Sequence, residues 1–452
     1  LAIYISIEYS LADYSQLTYP TPIHTVNSDN VQNFKHLIPI ILIALTTGCA
    51  TAPKPDDAPA VTETETPNNT ASTPVKPVNR PSAPDTQKTG SKPQTITPAF
   101  VAMSDQKTHE LVVKLLPPQL QDKNGWADDL QSAFKSLQIQ QDAKHFCAAI
   151  AIIGQESTFQ ADPVVPGLPN IIRREIEQRR DKYSIPQKVV DWMLESKSRD
   201  GRSFNQRIDV LKTEKQLSDL IEEIVDMVPA GKDLFPNYNP VHTGGPMQVS
   251  VDFAESHVKA RPYPYPIHGN LRNEVFSRRG GIYFGSAILL DYPIPYNDML
   301  YVFADFNAGR YTCRNAAFQQ ALSRVSGQPL STDGDLLRYK NGAVSPEVSS
   351  TLIAIRSIAT KLKMSESDIQ RDLRLEKLSS FNSTQLYSRL FALADQSGTQ
   401  ARFVLPQIDL KSPKIKRKLT TEWFANRVYS RYQGCLQQDS TTLRPVKRNT
   451  RR

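Results

Sequence analysis

Cysteine, bilayer-length apolar runs and alternating β-branched stretches are all scarce in this chain. Only four of its 452 residues are cysteine, and no Cys or His pair has the spacing of a zinc-ligand pattern. No metal site is expected, and nothing in the motifs calls for a cofactor. The apolar run Leu37 to Leu45 is nine residues long, well short of the roughly 20 that span a bilayer as a helix. Near-absence of β-branched alternation excludes a sheet-based fold. No nucleic-acid motif accompanies the net charge of +8, so no nucleic-acid partner is expected. The basic balance instead favours an acidic polymer or a membrane surface.

What is present divides the chain into unlike parts. Residues 1–33 are polar and Tyr-rich without a clear period, and they sit oddly ahead of a leader. A mis-chosen start codon, with Val31 as the true start, is the expectation. Residues 34–49 follow the order of a secretion signal: basic Lys35 and His36, the apolar run, then "LTTGC". Cys49 after Gly48 resembles a bacterial lipobox, in which the Cys is lipidated, although Thr46 stands where an apolar residue is usual. Ala50 resembles the pattern that directs lipoproteins to the outer membrane. Residues 50–98 are Pro- and Thr-rich with almost no large apolar residue, and are expected to be a disordered linker. Such a tether reaches roughly 40 Å as a coil. Residues 99–435 carry the globular pattern, and 436–452 end in the basic "VKRNTRR".

The globular part is expected to be mainly α, with one core. Segments such as "WADDLQSAFKSL", "EKQLSDLIEEIVDMV", "GGIYFGSAILLDY" and "STQLYSRLFALADQ" place apolar residues at i, i+3 or i+4, and most close on Gly or Pro. In "KHFCAAIAIIGQES", Glu156 shares a helix face with Ile153, Ile152, Ala149 and Ala148, all apolar. A carboxylate there stands either in a half-dry pocket, where desolvation favours its acid form, or in water where the helix ends. If Cys49 is lipidated, three cysteines remain. Cys147 on its apolar helix is simplest as a buried thiol, which pairs Cys313 with Cys435.

Four short blocks in order carry a resemblance. Glu156-Ser157 ends an apolar helix, and Gly245-Pro246-Met247-Gln248 forms a turn. Gly281-Ile282-Tyr283-Phe284 opens a second apolar helix, and Ala304-Asp305-Phe306-Asn307-Ala308-Gly309 closes a third. The set resembles the lytic transglycosylase and goose-type lysozyme superfamily, over about a third of the chain. The resemblance implies a lysozyme-like helical domain that acts on peptidoglycan glycan strands. Glu156 would be the catalytic acid, with Ser157, Met247, Gln248 and Asn307 at the substrate, and Tyr283 and Tyr311 as weaker candidates for the cleft wall. One carboxylate suffices in that family, because the substrate's N-acetyl group acts as nucleophile and a 1,6-anhydro ring forms.

Departures qualify the match. Gln248 lies 92 positions after Glu156, which implies a helical insertion over about 160–241. Pro246 stands for a Leu, and Phe306 for a Tyr. Asp305 is a candidate second carboxylate, which would turn the reaction toward hydrolysis through an activated water. Two other readings are a hydrolytic muramidase and a peptidoglycan-binding lipoprotein scaffold without activity.

Overall fold

The computed structural model describes residues 104–227, 239–340, 343–410 and 418–440. The extension, the leader with Cys49, the linker and everything past Ser440 lie outside these residues.

The described chain is mainly helical. Helices α1 (Asp105–Leu115), α2 (Lys123–Leu137) and α3 (Ala143–Glu156) come first. The insertion follows as α4 (Leu168–Lys182), α5 (Gln187–Glu195), α6 (Phe204–Asp209) and α7 (Glu214–Asp226). A hairpin of β1 (Thr243–Gly244) and β2 (Val249–Ser250) leads to α8 (Val251–Ala260), α9 (Leu271–Val275), α10 (Arg278–Leu290) and α11 (Met299–Ala308). Then come α12 (Thr312–Ser326), α13 (Ser350–Ser357), α14 (Ala359–Leu362), α15 (Glu366–Leu373) and α16 (Gln385–Ala394). The last helix, α17 (Thr421–Ser440), continues five residues into the segment expected to be tail. There Lys114 holds Asp439 at 3.0 Å. Two more two-stranded antiparallel pairs, at 339–344 and 409–420, complete the described strands.

Side-chain caps fix many of the starts. Asp142 accepts the His145 N–H at 2.8 Å ahead of α3, and Ser203–Gln206 and Thr213–Gln216 form capping boxes at α6 and α7. The insertion is thus helical as expected. Its apolar residues, among them Leu168, Ile176, Phe204 and Leu220, join the same buried cluster as α3.

The expectation of one core is corrected. Buried apolar residues form two clusters, one built on α1–α3, the insertion, α8–α11 and α17, the other on α12–α16. Helix α12 belongs to both, Cys313 facing the first and Phe318 the second. Arg314, fully buried, sits at this junction. Its guanidinium donates to the Leu378 carbonyl at 2.8 Å, to Asn382 Oδ1 at 3.1 Å and to the Glu376 carbonyl. The rings of Tyr311 and Phe381 cover it. An arginine satisfied by carbonyls, not by a carboxylate, pins the start of α12 to the 376–382 segment.

Helix α17 is the element on which the first core turns. Phe424, Ala425, Val428, Tyr432 and Cys435 form its buried stripe, and it packs against α1, α3 and α11. The cysteine pairing is corrected here too. Cys147 is bonded to Cys435, with Cα atoms 5.6 Å apart, and Cys313 is a buried thiol. The reason is helix packing: α3 lies along α17, whereas the Cys313 sulfur faces the Tyr301 carbonyl at 3.5 Å.

Candidate active site

Glu156 and Ser157 are not in water at the end of α3. Their exposures are 7% and 3%, so the apolar face of the helix does carry its carboxylate into a largely dry place. Ser157 caps the helix, its N–H and its hydroxyl both donating to the Ile153 carbonyl at 3.1 Å. Its side chain is thereby turned back along the helix. Thr158 and Phe159 follow with φ of 52° and 61°, two consecutive left-handed residues that other contacts must hold in place. Phe159 supplies them. Its ring meets Trp126 edge-on at 5.4 Å and covers Gly154, where an added methyl would lie 3.4 Å away.

Two helix ends converge on α17. Gln155, 4% exposed, accepts hydrogen bonds on Oε1 from Arg427 Nε at 3.1 Å and Arg431 Nε at 3.3 Å. Since Cys147 meets Cys435, α3 runs antiparallel to α17. Asn307 accepts the Thr421 hydroxyl at 3.0 Å, while Phe303 meets Tyr429 and Tyr432, so α11 is antiparallel to α17 as well. The C-terminal ends of α3 and α11, bearing Glu156 and Asn307, therefore both point toward the first half of α17. Along that half runs a groove of about 630 Å³ lined by Thr420, Trp423, Asn426, Arg427, Ser430 and Arg431, with Glu422 at its N-terminal end. Arg427 and Arg431, bonded to Gln155, are favourably placed at the negative end of the α3 dipole.

The Gly-Gly-Pro turn is a hairpin docked on α10. Thr243 pairs with Ser250 and Gly244 with Val249. Gly245 has φ of 72°, and a Cβ there would lie 2.2 Å from the Val275 carbonyl oxygen. Gly281 and Gly285 make the seat. A Cβ on the first would meet Pro246 at 2.5 Å, and on the second the Met247 sulfur at 2.4 Å. Met247 is fully buried in this seat, which corrects its expected place in a cleft. Gln248, 8% exposed, donates from Nε2 to the Gly245 carbonyl at 3.1 Å and accepts from the Thr243 hydroxyl at 3.5 Å. Its side chain closes its own turn.

Tyr283 and Tyr311, the weaker candidates for a cleft wall, are core residues. Tyr283, 1% exposed, packs among Tyr263, Tyr265, Phe284 and His257, with its hydroxyl 3.2 Å from His257 Nε2. Tyr311, 4% exposed, donates its hydroxyl to the Pro293 carbonyl at 3.3 Å. Asp305 is corrected as well. It is fully buried, and burial pushes its carboxyl up to about 7. Oδ2 accepts the Tyr296 hydroxyl at 2.7 Å and the Tyr311 N–H at 2.6 Å, and Oδ1 accepts the Cys313 N–H at 2.9 Å. That carboxyl joins the Asn307 end of α11 to the first turn of α12 and does not meet a water in a cleft. Sequence reasoning missed Gln155, Thr421, Arg427 and Arg431. The pairing of Arg427 with Arg431 one helical turn apart was the available signal.

The chain belongs to a family described as a protein of unknown function (DUF1615), whose model matches residues 119–438. The matched span runs from just before α2 almost to the end of α17. The chain is 46% identical over 330 residues to an Escherichia coli (strain K12) protein described as uncharacterized protein YaiW, covering 73% of this chain and 89% of that one. No solved structure matches.

Proposed function

We propose that this protein is a peptidoglycan lytic transglycosylase with a lysozyme-like helical domain, lipidated at Cys49 and held at the periplasmic face of the outer membrane. The observation that carries this reading is Glu156 itself. A single carboxylate, 7% exposed, ends the apolar face of α3, a setting suited to a general acid. Asn307, half-buried at the end of α11, supports it from a second helix that closes on the same half of α17.

In this reading Glu156 protonates the oxygen of the MurNAc–GlcNAc β-1,4 bond as it breaks. The substrate's acetamido oxygen attacks the anomeric carbon in place of an enzyme nucleophile. Glu156, now ionised, takes the proton of the C6 hydroxyl, which closes the 1,6-anhydro ring. No water is added, so a second carboxylate is not required. With Asp305 committed to Tyr296, Tyr311 and Cys313, the hydrolytic alternative has lost the group it called on.

The test is a digest of purified peptidoglycan by the full chain in detergent, beside Glu156→Gln, with products read by mass spectrometry. Anhydro-ended muropeptides from the wild type alone are the expected result. Products one water heavier would mean a muramidase. No products from either protein, with sacculi still bound, would mean a scaffold.

A further inference from the structure

We infer that the groove on the first half of α17 is a carboxylate-binding subsite for the peptide stems of peptidoglycan, with Arg427 and Arg431 as its anion-binding pair. This rests on the peptidoglycan reading above and adds to it the part of the substrate that the groove would hold.

The pair is unusual in how it is held. Arg427 and Arg431 stand one turn apart on one helix face, an arrangement that mutual repulsion disfavours. Some part-buried arginines have carboxylate partners, as Arg261 has Asp291 and Arg402 has Asp395, while Arg314 is held by several neutral oxygens of its own. Arg427 and Arg431 instead share one neutral acceptor, Gln155 Oε1. Among the described residues neither makes an ion pair, although Glu422 lines the same groove. The shared amide orients two guanidinium groups without neutralising either. Burial, with Arg427 close by, lowers the Arg431 pKa from its ordinary value, so an anion between the two would relieve a real repulsion.

Geometry suits a carboxylate. Gln155 takes only the Nε of each arginine, leaving the paired terminal nitrogens that match a carboxylate's two oxygens. The Trp423 ring, 5.6 Å from the Arg427 guanidinium, offers an apolar wall for the methyl groups of a short peptide. A groove of about 630 Å³ falls within the usual size of a small-ligand site. Its position is the functional point. Gln155, which aligns both arginines, immediately precedes Glu156 in the chain, so the groove lies at the same end of α3 as the proposed acid. The glycan backbone carries hydroxyl and acetamido groups, while the stems supply carboxylates.

The test reads binding, not cleavage. Full-length Glu156→Gln protein is sedimented with intact sacculi, and with sacculi whose carboxyl groups have been converted to methylamides. Amidation is expected to weaken binding about tenfold or more. Adding Arg427→Gln and Arg431→Gln is expected to weaken binding to native sacculi by a similar factor and to abolish the effect of amidation, in a protein that still unfolds cooperatively. Soluble stem tetrapeptide should compete, and inorganic phosphate at the same concentration should not. An Arg-substituted protein that still distinguishes the two sacculi as its parent does would overturn the inference. So would phosphate competing as well as the tetrapeptide, which would mean a general anion site. Failure of the parent protein to bind any sacculi would instead remove the peptidoglycan reading on which the inference rests.

Discussion

Cys147 on α3 and Cys435 on α17 form a disulfide between residues 288 positions apart. It locks the helix that carries Glu156 in register with the helix that carries the arginine groove. Closing so long a loop restricts the unfolded chain, a contribution of about 2–5 kcal/mol. Urea unfolding of the Cys147→Ala, Cys435→Ala double variant is expected to show a loss of that size, with the fold retained. Cys313, fully buried and with its thiol pushed up by burial and by Asp305, should resist alkylation until the protein unfolds. A non-reducing peptide map linking Cys313 to either partner would contradict this.

Asp305 and Glu376 give a pH dependence whose sign can be worked out. Burial raises their carboxyls to about 7 and about 8, from ordinary values of 3.8 and 4.5. Between those limits the folded state holds protons that the unfolded state has released. Their contribution is therefore full below the ordinary values and is lost as pH rises through 7 and 8. His242 and His257, lowered by burial from 6.5, act the other way around that pH. The clean quantity is thus the difference between variant and wild type. Glu376→Gln is the useful variant. Its amide oxygen can accept the Leu336 N–H and its NH2 can donate to the Tyr339 oxygen, in place of the present bonds of 2.6 and 2.5 Å. From pH 5 to 8 this variant should lose less stability than wild type, measured by urea unfolding at each pH; parallel curves would sink the argument. Asp305→Asn should behave differently. Its NH2 must face the N–H of Tyr311 or Cys313, which costs about 1–3 kcal/mol.

Much of the helical order was legible because it is local. The apolar face of α3, the helical insertion and the Gly-Gly-Pro turn follow from residues within a few positions of one another. Helix α17 was harder to see. Its stripe of Phe424, Val428, Tyr432 and Cys435 has helical spacing, but Tyr and Cys carry half of it, and Arg427, Arg431 and Gly434 interrupt it. The disulfide was misassigned because burial does not discriminate among three cysteines that are all buried; only the packing of two distant helices does. Site residues were recognised by identity more readily than by direction. Met247 faces α10 because Gly281 and Gly285 leave room there, and Gln248 folds onto its own turn with φ of 52°. Gln155 was overlooked beside Glu156 because its partners, Arg427 and Arg431, lie 272 and 276 positions away.

On the proposed peptidoglycan-cleaving reading, Asn307 offers the sharpest test of a second substrate contact. Its Oδ1 accepts the hydroxyl of fully buried Thr421, which fixes the amide plane and turns the NH2 away from α17's first residue. If the NH2 donates to the sugar, Asn307→Asp keeps the bond to Thr421 but removes the donor. That variant, like Asn307→Ala, should cut peptidoglycan about 10–100-fold more slowly, the effect of one strong hydrogen bond in the transition state. Asn307→Asp keeps the bond to Thr421 and should change the melting temperature little, whereas Asn307→Ala orphans the buried Thr421 hydroxyl and should lower it. Thr421→Val keeps the shape of the buried side chain but leaves Asn307 without its guide, so its loss of rate should be smaller. Wild-type cleavage by Asn307→Asp would show that the amide acts only as a brace between α11 and α17.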